Sequence, residues 1–256
     1  MDYADGLSLR GKITLDDGCS PEQVYVWLQE LNIGVFTDEN GKFKLFLPTA
    51  EAQPGGGYTG LANVYFYLGN YQFEKRVVYL LYGKFQLNRQ SIDAKGCLTN
   101  DILLKKLLSI RTTIEPSSVN TISSSWLTLK TYISPHIDSV VIQTFKHQRD
   151  ENMFTNVYFQ DKSKPIDEAV FIRRSVFLRT YAVSSNEIWY LNINSDSLNL
   201  AEGLYDIIPY IKIIQNNFPY NMLTSLGVDA HSYNTSYLNI PFKLNTGQLK
   251  VTTNAN

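Results

Sequence analysis

The chain has 256 residues, of which 44% are apolar, 18% charged and 13% aromatic, with 17 Tyr and 13 Phe and a formal net charge of −1. So low a charge content with so many apolar residues excludes a disordered chain. Lys and Arg are scattered along the sequence without a basic tract, which argues against a nucleic-acid backbone binder and a polybasic membrane-surface segment. No apolar run reaches the roughly 18 residues of a membrane-spanning helix. A chain of this length holds two domains more readily than one.

The N-terminus, Asp2 to Gly6, is polar and turn-like, with no apolar leader after Met1. Either the protein is cytoplasmic or Met1 replaces a leader that was cut away. Residues 7–15 alternate apolar with polar, the period of a strand with one buried face. Asp16-Asp17-Gly18 breaks that run as a turn. Val24–Leu28 and Ile33–Thr37 are expected strands, and Lys42–Leu47 alternates strictly. Between the last two lies Asp38-Glu39-Asn40-Gly41, read as a hairpin turn because Asn and Gly tolerate positive φ. Pro48 ends the run.

Residues 49–60 form a glycine-rich loop, followed by expected strands over 61–68 and 71–82. Residues 102–114 carry leucines at helical spacing and then a β-branched alternation, and a strand over most of the stretch is the better reading. Glu115-Pro116-Ser117-Ser118 is the expected boundary between domains at 1–114 and 115–256. After it come expected strands at 126–133, 139–145, 156–159, 169–178, 188–193, 204–214 and 238–244. Short strands at this pitch predict an all-β protein of two β-sandwich domains.

The stretch Gly11-Lys12-Ile13-Thr14, Asp17-Gly18, Val24-Tyr25-Val26-Trp27-Leu28, Gly34, Thr37-Asp38-Glu39-Asn40-Gly41-Lys42-Phe43 and Leu47-Pro48 resembles the carboxypeptidase regulatory-like domain, a transthyretin-like sandwich. The likeness is close over residues 10–48 and holds in outline to about 114. Gly11 and Gly18 are expected where the chain turns, Val24 and Val26 on the core face, Asp38, Asn40 and Gly41 in the turn, and Phe43 as a core plug behind it. The resemblance implies a non-catalytic packing or binding module of the kind found in bacterial envelope proteins, including lipoproteins. In the second half, Glu202-Gly203-Leu204-Tyr205-Asp206-Ile207 resembles the start of a late strand in immunoglobulin-like sandwiches, where a tyrosine corner forms at Tyr205; an ordinary strand tyrosine is the competing reading. An immunoglobulin-like sandwich is accordingly expected for the second domain. No Cys…Trp…Cys spacing of antibody domains is present.

The motifs that carry chemistry are missing. His136, His147 and His231 have no zinc-ligand spacing, and neither a nucleophile elbow nor a phosphate-cradling loop occurs. Gly55-Gly56-Gly57 precedes no helix, and Asp38–Gly41 is explained by its turn without calcium. Cys19 and Cys97 leave a bridge and two free thiols equally open. No catalytic residue, metal or cofactor is expected. The remaining functional feature is the aromatic group around Tyr65, Tyr67 and Tyr71, either a glycan-stacking or docking face or part of the core. The expected function is a non-catalytic cell-envelope binding or scaffold protein with a protein partner, and the alternative is a carbohydrate-binding surface protein. Export, with a lipid anchor on residues preceding this chain, follows from the resemblance.

Overall fold

The computed structural model describes residues 6–121, 124–148, 150, 152–174, 177–229 and 232–253. His231 and the first residues of the expected N-terminal tether lie outside them. The chain divides into two compact units, one up to Lys106 together with Phe218–Leu226, the other Leu107–Asn217 with the residues from Gly227 on. Both are built from strands, and the one α-helix among the described residues is Met222–Ser225.

Unit 1 contains β1 (Ser8–Leu15), β2 (Tyr25–Leu28), β3 (Ile33–Phe36), β4 (Lys42–Phe46), β5 (Gly60–Tyr67), β6 (Glu74–Leu81), β7 (Lys84–Phe85) and β8 (Ile102–Leu104). They make two sheets, β4-β1-β8 and β3-β2-β5-β6-β7, with β1 and β8 parallel. The alternation read from the sequence is the cause. Leu9, Ile13 and Leu15 of β1, Phe43 and Leu45 of β4, Val26 and Leu28 of β2 and Val64 and Phe66 of β5 all enter one core, which Val24 joins. Each such side chain contributes roughly 1.5–3 kcal/mol on burial.

Two expectations need correction. The Asp38–Gly41 turn is not a hairpin: β3 pairs with β2 and β4 with β1, so the turn carries the chain from one sheet to the other. Asp38 builds it, Oδ1 accepting the N–H groups of Asn40 at 2.9 Å and Lys42 at 2.8 Å. Gly41 alone supplies the positive φ, +75°, and its carbonyl accepts the Ile13 N–H at 2.8 Å. Gly11 is not in a turn either. It lies inside β1 opposite Phe43, and a Cβ there would stand 2.7 Å from the Phe43 ring. Gly18, with φ +73°, does turn the chain.

Unit 2 contains β9 (Leu108–Glu115), β10 (Ser118–Asn120), β11 (Trp126–Pro135), β12 (Val140–Phe145), β13 (Asn156–Asp161), β14 (Val170–Arg173), β15 (Leu178–Val183), β16 (Glu187–Asn194), β17 (Gly203–Pro209), β18 (Ile211–Ile213) and β19 (Gly247–Thr252). One sheet is β16-β11-β9 and another β10-β19-β17-β13-β14. In immunoglobulin terms β9, β11 and β16 stand as A, B and E, β13, β17 and β19 as C, F and G, and β14 as C′. The remaining sheet, β15-β12-β18, continues the same strands. Along β17–β18, Pro209 faces Val157 and Ile211 faces Thr144, so β12 and β13 are one C strand interrupted by a loop after Phe145. Thr155 N–H closes the base of that loop on the Phe145 carbonyl at 3.1 Å. The Tyr205 hydroxyl donates to the Ala201 carbonyl at 3.0 Å, the tyrosine corner expected at the start of strand F.

The expected strand over 102–114 is broken after Leu104, and its second half, β9, belongs to unit 2 through its pairing with β11. The division therefore falls at Lys106, ahead of the boundary read at Glu115-Pro116. Residues 238–244 are not a strand. A 3-10 turn over Thr235–Asn239 occupies part of them, and the last strand is β19, which the sequence reading passed over.

Gly41→Val is expected to lower stability by at least about 2 kcal/mol, since the new side chain meets both the positive φ and the Ile13 carbonyl. Denaturant unfolding of the purified variant measures this, and an unchanged midpoint contradicts the assignment.

Candidate functional site

The predicted binding tyrosines do not form an exposed face. Tyr65, Tyr67 and Tyr71 are 8%, 5% and 0% exposed. Phe66 points into the first core, as alternation requires, and Tyr65 and Tyr67 point to the opposite side of their sheet. There they join a second aromatic layer: Trp27 and Tyr65 ring centres are 5.9 Å apart, Tyr65 and Phe73 6.0 Å, Tyr67 and Phe218 5.1 Å. Phe218 belongs to the segment Phe218–Leu226, which is packed into unit 1, and the Tyr25 hydroxyl donates to Ser225 Oγ at 3.1 Å. A stacking platform at these positions is thereby ruled out.

Tyr71 belongs to a polar knot. Its hydroxyl donates to Asp17 Oδ2 at 2.8 Å, and Lys106 Nζ meets the same oxygen at 2.7 Å. The Lys106 N–H binds Asp16 Oδ1 at 2.9 Å, which turns the chain at the end of β8. Burial by itself would raise the Asp17 carboxyl, but the Lys106 ammonium, Cys19 and the Tyr71 hydroxyl outweigh it and hold Asp17 well below the usual carboxylate range. Burial, reinforced by the Asp17 charge, pushes the Tyr71 hydroxyl far up. The hydrogen bond to Asp17, with burial, also raises the Cys19 thiol, away from the thiolate a nucleophile or metal ligand needs. Cys19 and Cys97 are both free.

Unit 2 holds a recess of about 550 Å³ lined by Lys146, Asn152, Arg179, Thr180, Tyr181 and Glu187. Lys146 starts the looped-out segment and is 5% exposed. Its ammonium lies 4.3 Å from the Tyr181 ring centre, 4.2 Å from that of Trp189 and 3.7 Å from Glu187 Oε2. The Trp189 N–H donates to the same Glu187 oxygen at 2.7 Å. Two rings and a carboxylate thus compensate a desolvated cation. Arg179, Thr180 and Asn152 border the recess with hydrogen-bonding groups, a lining suited to a small polar ligand. The sequence reading named none of these residues. Lys146 ends the alternating run Val140–Phe145, which was the available signal that its side chain turns inward.

No group of His, Cys, Asp and Glu among the described residues is placed to hold a metal. Ser109 Oγ and His136 Nε2 are 2.7 Å apart at the surface, a hydrogen bond between solvated side chains rather than a sheltered nucleophile and base.

The sequence matches no family model and no curated protein. Among solved structures the chain is similar to BcpA, the major pilin subunit of Bacillus cereus, at 13% identity over 82% of this chain and 64% of that one, with a TM-score of 0.28. A variant of that pilin gives 12%, 81%, 67% and 0.28. The TIE protein of Bacillus anthracis is similar at 8% identity over 97% of this chain and 50% of that one, with a TM-score of 0.25. The chain spans from half to about two thirds of the length of these proteins. Likenesses this loose fix neither a family nor an activity.

Two outcomes test the aromatic layer and the knot. Phe218→Ala is expected to destabilise unit 1 by about 1–2 kcal/mol, because two edge-on ring contacts vanish and Tyr67 is uncovered; chemical denaturation gives the value. Because the folded Asp17 carboxyl is depressed, its contribution is present above the unfolded carboxylate value of about 4 and is lost as pH falls below it. Asp17→Asn should lower the melting temperature at pH 7 and flatten its decline on acidification, read from melting curves at stepped pH.

Proposed function

We propose that this chain is a non-catalytic binding or scaffold protein of a cell envelope, exported and carried on a lipid anchor, whose first unit is a carboxypeptidase regulatory-like sandwich. The observation that carries the reading is the local architecture of residues 10–48. The residues on which the resemblance rests do structural duty: Gly11 admits the Phe43 ring, Asp38 and Gly41 make the turn between sheets, and Val24 and Val26 line the core. Two facing sheets over one core are what a transthyretin-like sandwich requires, and the A-B-E and G-F-C-C′ order of unit 2 supports an immunoglobulin-like partner domain. Side chains with chemical potential are engaged in packing: Asp17 and Lys106 in the knot, Lys146 and Glu187 beneath two rings. Binding is then the work of surfaces.

A second reading, a glycan site, is favoured by the unit 2 recess, where Tyr181 lies beside Arg179, Thr180 and Asn152. It replaces the platform that burial removes from unit 1.

Fractionation of the native cells decides the main reading. The protein is expected in the envelope fraction and, on intact cells, accessible to added protease. Recovery in the soluble cytoplasm with full protection from protease overturns the reading.

A further inference from the structure

The cations that look scattered in the sequence are gathered by the small sheet of unit 1. β1 and β4 pair so that Arg10 stands opposite Lys44 and Lys12 opposite Lys42. All of these are exposed, because the odd positions Leu9, Gly11, Ile13, Phe43 and Leu45 face the core and the even ones face water. Directly opposed side chains in an antiparallel pair have Cβ atoms about 5 Å apart, and like charges so placed destabilise the pair. Among the described residues, Arg10, Lys12, Lys42 and Lys44 form no ion pair. Of the nearby carboxylates, Asp38 binds the backbone of its own turn and Asp17 binds Lys106, while the exposed Asp101, one residue ahead of β8 and in step with Lys12, forms an ion pair with none of the four and offsets at most one of their charges. On a chain with 23 basic and 24 acidic residues, two successive cation–cation pairs are a local concentration, not a reflection of composition.

Protection of a sheet edge against aggregation explains only half of this. Lys42 and Lys44 lie on β4, an edge strand where lysines discourage further pairing. Arg10 and Lys12 lie on β1, whose second side is covered by the Gly96 and Leu98 backbone at Arg10 and by β8 from Ile13 on, so the strand is not an open edge, and an acidic residue opposite each lysine would have stabilised the pair. The unbalanced charge is complementary to an anion. Cations recur about every 6.6 Å along each strand and about 5 Å across, a flat grid suited to charges repeated along an extended chain. The apolar members of the face, Phe46 and Leu103, are at its margins, on β4 and β8, with the Lys44 ammonium 4.3 Å over the Phe46 ring. Such a centre lacks the apolar side chains that insert among lipids and the ring platform on which unpaired bases stack.

We propose that the outward face of β4-β1-β8 is a docking surface for a linear acidic polysaccharide. The proposal deepens the envelope-binding reading by naming the chemistry of a partner, and it rests on that reading only for where the polymer is met. The full chain is tested for binding to polygalacturonate, with neutral dextran, phosphatidylglycerol vesicles and single-stranded DNA alongside. Polygalacturonate is expected to bind at low ionic strength, more weakly as salt rises, and dextran not at all. The variant K12E/K44E places each new carboxylate opposite Lys42 or Arg10. It is expected to melt at a higher temperature while losing at least tenfold in polygalacturonate affinity, a combination that general damage to the fold would not produce. If that variant does not fold, K12Q/K44Q takes its place, with the same loss of affinity expected. Absence of binding by the parent chain, undiminished binding by the folded variant, or tighter binding to vesicles or DNA overturns the proposal. Cell fractionation is read separately, so a failed polymer assay leaves the envelope assignment to its own result.

Discussion

Phe43 enters the first core only because position 11 carries no Cβ. The two residues face each other across β1 and β4, and the ring fills the space a side chain would take. A register slip of one residue would bring a charged side chain of β4 to the core face and turn Phe43 out into water. The contact therefore fixes the pairing of the whole ladder, Leu9 with Leu45 inside and Arg10 with Lys44 outside. One steric constraint in the core thereby sets the arrangement of charge on the surface.

The larger sheet of unit 1 shows what happens when both faces of a strand are covered. β2 is buried at every position, with valine and leucine towards the core and Tyr25 and Trp27 towards the aromatic layer. Tyrosines with hydroxyl partners suit that second layer because their rings pack while their polar ends find acceptors, as Tyr25 does at Ser225. The high aromatic content of the chain is spent on a layer of packing rather than on display.

Strand character was legible wherever one face is wet. β1, β4 and β11 follow their alternation, and the positive φ of Gly41 and the tyrosine corner at Tyr205 were readable from residue type and position. Pairing was not legible, because alternation states which face is buried and not which strand lies alongside. So Asp38–Gly41 looked like a hairpin, although its flanking strands belong to different sheets. The tyrosines looked available because their cover, Phe218–Leu226, is remote in sequence. The cation face was hidden for the same reason: each strand contributes two charges at period two, and only register brings them side by side. In unit 2 the unbroken runs at 169–178 and 204–214 concealed breaks, since a strand that changes sheet keeps its apolar pattern across the change.

The interrupted C strand of unit 2 has a consequence for how such a domain diverges. The ladder pairs Thr144 with Ile211 and resumes with Val157 opposite Pro209, so one position of the facing strand, Tyr210, separates the two stretches. The intervening segment is nonetheless tied to the sandwich, because Phe154 is buried in its core and the Tyr190 N–H donates to the Asn152 carbonyl at 2.9 Å, so a change of length is tolerated only ahead of these anchors. Lys146 and Asn152, which line the recess, belong to that segment, whereas Arg179, Thr180 and Tyr181 belong to β15 and Glu187 to β16. The contact of Lys146 with Glu187 at 3.7 Å and with the Tyr181 ring couples the two sides, so a descendant that replaced the buried cation would have to replace its carboxylate with it, and the recess would acquire a new ligand by paired rather than single changes.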